Sequence, residues 1–271
     1  MGKSTRKKGG KTVAKKLGFA LGAGGARGVA HIGFLMAMEE AGIKPDLIAG
    51  CSMGSVVGAA YAAGLTVEEM KKAACSLRLF DIIMPSGKRG GLFDTKKVRR
   101  MLQYYIGDKQ FSDLKLPYRC VAVDMDSQRL IEFSEGSVLD AVVASSSIPA
   151  IFRPMEKDGM RLIDGGILER VPFEQVKRMG ADVVVAVDVL GWRSSQEKSM
   201  GTIGVLMSTI DIMDNYRTKR RREENSDIID LWLEPELGNM SPYSFKQFQF
   251  AFEKGYEIGK ANTEEIKRLI F

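Results

Sequence analysis

The sequence predicts an α/β protein whose largely parallel central sheet is covered by helices on both faces. Three observations lead there. From Leu17 to residue 190, short apolar runs alternate with segments of helical spacing, the pattern of strands joined by crossover helices. The runs are apolar at successive rather than alternate positions, as in LGFAL and VVVAV, which marks strands buried on both faces. Glycine-rich turns also follow the first two strands, in LGAGGARG and GCSMG.

Taken in order, Leu17–Leu21 is the first strand and ends in the first glycine turn. Arg27–Ala41 has helical spacing at Ile32, Leu35 and Met36 and stops at Gly42. Leu47–Gly50 is a second short strand, and Met53–Ala63 is a helix of small residues closing at Gly64. Thr66 caps the next helix, with Glu69 three residues on completing a capping box. Phe80–Thr95 holds Pro85 and glycines at 87, 90 and 91. It reads as a loop, and Met84–Phe93 is a candidate mobile cover. Tyr118–Val123 and Leu130–Phe133 are strands, Val138–Ser145 a helix, Arg161–Ile163 a short strand and Val183–Val189 a strongly apolar one.

Beyond Gly191 the chain turns mainly helical, with one strand-like run at Ile228–Leu233. A helix over Ile203–Arg222 ends in the basic run Lys219–Arg222. That run reads as a solvated end complementing the helix dipole, with a second membrane-facing patch as the alternative. Phe245, Phe248 and Phe252 share one helical face, expected to pack a C-terminal helix onto the sheet. Lining of an acyl groove and a dimer contact are the other readings. The expected organisation is a basic tail (1–16), an α/β core (17–190) and a mostly helical part packed on it (191–271).

Composition narrows the function. The chain has 271 residues, 45% of them apolar, enough for one sizeable core. Its three cysteines, Cys51, Cys75 and Cys120, fit neither a disulfide framework nor metal-ligand spacing. A reducing, cytoplasmic setting follows. No apolar run approaches the roughly 18 residues of a membrane span, and the N-terminus lacks the apolar region of a secretory signal. The net charge is +6, and MGKSTRKKGGKTVAKK carries seven basic residues without an acid. This segment reads as a solvated tail suited to peripheral contact with anionic lipid at the inner face of the membrane. With no aromatic residue interleaved, it does not suit nucleic acid. Arg6 stands where an N-myristoylation signal needs Ser or Thr. No Asp-rich calcium loop is present, and neither metal nor cofactor is implied.

The chemistry concentrates at GCSMG. Gly50 and Gly54 flank Ser52 in the spacing of a nucleophile elbow, where a strand turns sharply into a helix and glycines let the two approach. Ser52 then stands at a helix N-terminus, where backbone N–H groups favour negative charge. A plain helix cap is the bland alternative. Upstream, the turn at Gly22 fails as a dinucleotide fingerprint, because Arg27 stands where its third glycine belongs. Its better reading is an oxyanion hole built on the N–H groups of Gly24 and Gly25. The one histidine, His31, lies among small and apolar residues inside the first helix and reads as packed, which leaves no Ser-His-Asp triad. A carboxylate must then act as base. Asp124, Asp126, Asp164 and Asp188 all end strands, and only Asp164 sits in a glycine turn, RLIDGG.

In LGAGGARGVAHIGFLMAMEEAG, GCSMGS, SSSIPAIFRPM and LIDGG, in that order, the chain resembles the bacterial patatin-like phospholipase family. The resemblance runs from Leu17 to Val189. It implies a patatin-like sheet with a helical C-terminal extension and a Ser–Asp dyad, with Ser52 as nucleophile and Asp164 as base. The oxyanion hole falls on Gly24 and Gly25, with the Met53 amide as a further donor. Gly22, Arg27, Gly28, Gly50, Gly54, Gly165 and Gly166 complete the motifs. Ala23 departs from the family, whose glycine loop commonly begins with three glycines, and Gly166 stands where alanine is frequent. Arg27 matches the family's basic residue, and a structural ion pair is favoured over a phosphate contact. The implied reaction is hydrolysis of fatty acyl esters of phospholipids or lysophospholipids through an acyl-enzyme. A soluble ester or thioester hydrolase and a membrane-associated module with little turnover are the rival readings.

Overall fold

The computed structural model describes residues 15–76, 84–86, 91–191, 201–243 and 246–271. Eight strands form one sheet: β1 (Leu17–Leu21), β2 (Leu47–Cys51), β3 (Tyr118–Asp124), β4 (Arg129–Phe133), β5 (Met155–Lys157), β6 (Met160–Asp164), β7 (Val183–Val187) and β8 (Leu231–Leu233). They run in the order β5-β6-β3-β2-β1-β7-β8, with β4 also paired to β3. The pairings β8–β7–β1–β2–β3 are all parallel. The expected parallel sheet therefore forms, but it is mixed: β3–β4, β3–β6 and β5–β6 are antiparallel. The reason is connection length. Only Asp158 and Gly159, both at positive φ, separate β5 from β6, and a two-residue turn can join only antiparallel neighbours.

The registers fix how the strands meet. Val121 pairs with both Cys51 of β2 and Glu132 of β4, while Ala122 pairs with both Asp164 of β6 and Ile131 of β4. A strand has two edges, so β2 and β6 share the edge opposite β4. They run towards each other along it, and their C-terminal ends meet at Val121–Ala122. This places the turn after β2 against the turn after β6.

Alternate residues of the central strands serve two layers. Leu17, Phe19 and Leu21 of β1 and Val183, Val185 and Val187 of β7 face helices α1 (Ala30–Glu40) and α2 (Met53–Ala63). Phe19 meets Phe34 edge-on at 5.0 Å between ring centres. Ala20, Leu47, Ala49, Val184 and Ala186 face Phe173 and Val176 on the other side. Full burial of each large side chain here contributes about 1.5–3 kcal/mol. The remaining helices are α3 (Val67–Ser76), α4 (Lys96–Ile106), α5 (Val138–Ser145), α6 (Phe173–Arg178), α7 (Thr202–Glu224), α8 (Phe248–Ala261) and α9 (Thr263–Ile270).

Several expectations shift. The first helix is a 3-10 turn, Gly25–Val29, running into α1. The last strand is only Leu231–Leu233. The C-terminal helix packs on α1 rather than directly on the sheet: a Cβ at Gly33 would collide with the Phe252 carbonyl, and one at Gly255 with the Ala30 carbonyl. Phe248 and Phe252 are buried there, while Phe245 lies outside the described residues. So do residues 1–14 of the basic tail; Lys15 and Lys16, by contrast, donate backbone hydrogen bonds to the Ile270 carbonyl and to Asp182. Of the candidate cover at Met84–Phe93, the described ends pair as Pro85 with Phe93, and residues 87–90 lie outside.

Candidate active site

Ser52 links β2 to α2 with φ 52° and ψ −122°, a region that L-residues avoid and that a surrounding structure must hold in place. The sequence allows it through the flanking glycines. A Cβ on Gly54 would collide with the Leu21 carbonyl, and one on Gly50 with the Gly54 carbonyl. The Ser52 hydroxyl makes no cap bond to α2, so the cap alternative is not realised. Its backbone is pinned: the Ser52 N–H donates to Ser145 Oγ at 2.9 Å, and its carbonyl accepts from Ser55 Oγ at 2.6 Å.

Asp164 ends β6 directly opposite. Gly165 lets the turn cross β3, since a Cβ there would collide with the Val121 carbonyl. The Asp164 N–H donates to the Ser147 carbonyl at 3.0 Å. Its Oδ1 accepts from the Gly166 N–H at 2.8 Å and from Cys51 Sγ at 3.8 Å. Burial pushes the Asp164 pKa up from 3.8 to about 6, against hydrogen bonds from Ser52, Gly166 and Cys51 that favour the carboxylate. The nearby Asp214 charge adds to the rise.

The glycine turn after β1 lies against the same cavity. Gly22 donates to the Val187 carbonyl and Ala23 to the Arg170 carbonyl, so the turn is fixed from both sides. The Ala23 methyl packs with Cys51 and Val121. Gly25 has φ 50°, and Gly28 faces Met53 so closely that a Cβ would not fit. Among the described residues, the Gly24, Gly25 and Met53 N–H groups make no hydrogen bond.

The other candidates are engaged elsewhere. His31 is fully buried and its Nε2–H donates to the Gly22 carbonyl at 2.8 Å. Burial lowers its pKa to about 4, so it is neutral at physiological pH and props the glycine turn from below. Arg27 is also buried and donates to the carbonyls of Val189, Leu190, Gly238 and Met240, tying two loops to the turn. Asp188 pairs with Arg170 at 2.7 Å, and Asp126 with Arg161. Asp124 accepts from the Ser127 hydroxyl at 2.6 Å within the β3–β4 hairpin. Arg221, expected in a solvated run, instead reaches Glu169 and Glu174 at 3.0 and 2.7 Å.

Two cavities meet at Ser52, sharing Gly25 and Ile148. One, of ≈ 160 Å³, is apolar and runs between α2, α3 and α4 past Val57, Met70 and Leu102. The other, of ≈ 90 Å³, is more polar and is lined by Gly24, Asp164, Ile210, Asp214 and Tyr243. Of the second set, Gly24 and Asp164 were expected from the sequence, whereas Ile210, Asp214 and Tyr243 were missed, as was Ser145. The only signal for Ser145 was its place at the head of the SSSIP motif. For the α7 residues and Tyr243 there was none.

Compared with known proteins, the chain matches the patatin-like phospholipase family over residues 19–177. It belongs to that family. An uncharacterised NTE family protein of Mycobacterium tuberculosis is 35% identical over 178 residues, 65% of this chain and 49% of that protein. Lysophospholipase nte1 of Aspergillus fumigatus is 28% identical over 290 residues, 93% of this chain and 18% of that protein. The chain thus spans about half of the first relative and under a fifth of the second. Among solved structures, VipD from Legionella pneumophila superposes with a TM-score of 0.62 at 14% identity, covering 93% of this chain and 67% of that one. That likeness extends the patatin fold past residue 177 to nearly the whole chain. No helix among the described residues is long and apolar enough to cross a membrane.

Proposed function

We propose that this patatin-like protein hydrolyses fatty acyl esters of phospholipids or lysophospholipids through an acyl-enzyme on Ser52. The observation that carries the reading is the pairing of a serine at φ 52° with a buried carboxyl of raised pKa at the junction of two cavities. In this reading Asp164 accepts the Ser52 proton as Ser52 Oγ attacks the acyl carbonyl. The N–H groups of Gly24, Gly25 and Met53 hold the oxyanion, each such donor worth about 10²–10³ in turnover. Asp164 returns the proton to the leaving alcohol, and water then releases the fatty acid with the same base. The apolar cavity suits the acyl chain and the more polar one the leaving group.

The site draws on both parts of the chain: a core over 17–190, and 191–271 contributing α7 and Tyr243 to the leaving-group side. The proposed setting is cytoplasmic and peripheral, the basic N-terminal segment attracting the protein to anionic lipid. A lysophospholipid substrate is favoured by the name of the fungal relative.

The test is fatty acid release from mixed phospholipids and lysophospholipids, and hydrolysis of a p-nitrophenyl butyrate control. Wild type is compared with folded Ser52→Ala and Asp164→Asn proteins, and active serine is titrated with a fluorophosphonate. Loss of activity in both variants is expected. A wild type that hydrolyses nothing and resists the fluorophosphonate would sink the reading, and an active Asp164→Asn would remove Asp164 as base.

A further inference from the structure

Helix α7 has an unusual division of faces. Met207, Asp214 and Thr218, at spacings of seven and four, are buried against the body. Val205, Leu206, Ile212, Met213 and Tyr216 lie on the opposite side and are 60%, 48%, 64%, 62% and 68% exposed. At 3.6 residues per turn these five, with the exposed Thr209 between them, form one stripe. It carries no charged side chain: Asp211 is half-buried on the cavity side, and the first exposed charges, Lys219 and Arg220, come after it. Solvent is a poor neighbour for such a surface, and single exposed apolar residues do not explain it.

The inner face of the same helix points to what covers the outer one. Met207, Ile210, Asp211 and Asp214 line the cavity that holds Ser52 and Asp164, and the partly exposed Tyr243 sits on the same cavity. Ile210 stands four residues from Leu206 and three from Met213, so on the helix the stripe adjoins the cavity lining at that side chain. Its chemistry is aliphatic with one tyrosine, an apolar body with a polar tip suited to a lipid–water boundary. Beyond it the exposed Lys219 and Arg220 pair with Glu223 and Glu224 one turn on, at 4.0 and 2.7 Å, so no unbalanced charge borders the stripe at that end. An uncharged stripe beside a lipid-directed cavity fits hydrocarbon better than it fits a charged protein surface.

We propose that the outer face of α7 is the surface on which this protein lies against a phospholipid bilayer, bringing the Ser52 cavity to the lipid. The choice of occupant rests on the acyl-ester reading above; the exposed face does not. Docking through α7 is apolar, so it persists in molar salt, whereas contact through the basic N-terminal segment is screened.

The test uses the full chain carrying Ser52→Ala, so that lipid is bound and not consumed. It is sedimented with vesicles of phosphatidylcholine and phosphatidylglycerol at low and at molar salt. The double change Ile212→Ser and Met213→Ser alters only exposed positions, which leaves folding intact. It is expected to weaken partitioning at molar salt by about tenfold or more. The same double change in the Ser52-containing protein leaves p-nitrophenyl butyrate hydrolysis unaltered and slows vesicle hydrolysis. Unchanged sedimentation of the double variant, or wild-type binding abolished by salt, overturns the proposal. So does light scattering that shows a wild-type dimer and a monomeric variant with vesicle binding intact, since the face then meets a second copy. A failed hydrolase reading is seen separately, as absent ester cleavage with vesicle binding preserved.

Discussion

A carboxylate of ordinary pKa is a weak base for a serine, and Asp164, the base we propose, departs from the ordinary because it is buried. Ionisation near pH 6 sets the expected profile: kcat/KM rises about tenfold per pH unit on the acid side and levels above pH 6. Cys51 Sγ donates to the same carboxylate, so Cys51→Ala moves that limb to higher pH; a pH–rate series on both proteins reads it. A limb near pH 4 would show that burial does not govern this base. Ser145 gives a second prediction. Ser145→Ala leaves the buried Ser52 N–H unpaired, which costs about 1–3 kcal/mol and loosens the strained turn. A lowered urea midpoint with kcat reduced about tenfold and KM held is expected; an unchanged kcat would show that the turn holds without it. Ser52 was legible because its signature is local, five residues long. Ser145 was not, because its partner lies 93 positions away and only the folded registers bring them together.

Among the elements, α7 is joined to the site by charge. Arg170 pairs with Asp188 and with Asp214 of α7, and Arg217 of α7 donates to the Gly166 carbonyl at 2.8 Å. The Asp164 turn is thereby tied to the helix whose other face is exposed. Arg170 is almost wholly buried, so Arg170→Met strands the buried Asp188, while Asp214 keeps Arg217 at 2.8 Å, and is expected to cost about 3–5 kcal/mol. Chemical denaturation checks this, and a loss under about 1 kcal/mol would mean the network contributes little. The parallel strands were legible from their continuous apolar runs. The antiparallel end was not read, although Asp158-Gly159 is a strong hairpin signal; β5 is short, half-exposed and lacks the apolar run that identified the others. The role of α7 was illegible for a different reason. Apolar residues stand on both of its faces, so periodicity gives no inward direction.

At the scale of the molecule, the site exists because two strands end head-on along one edge of β3, and closing that junction buries ionisable groups. Their effects on stability oppose each other. The folded state raises the Asp164 pKa from 3.8 to about 6, so it binds more protons than the unfolded chain across that window, and stability falls as pH rises through it. Glu169, raised to about 7 mainly by burial, acts in the same sense. His31 acts in reverse: lowered from 6.5 to about 4, it stabilises fully above 6.5 and loses that contribution as pH falls towards 4. The total pH dependence of the wild type therefore hides each part, and a difference exposes one. Asp164→Asn removes a titration without a large change of shape. Relative to wild type its stability is expected to rise between pH 4 and 6, by about 3 kcal/mol at most, and to stay level above. Any loss of the Gly166 and Ser52 hydrogen bonds shifts the whole difference curve without changing that shape. Urea unfolding of both proteins from pH 4 to 8 measures it. A flat difference would mean that Asp164 titrates in the folded protein as it does in the unfolded chain, and the pH–rate limb near 6 would then belong to another group.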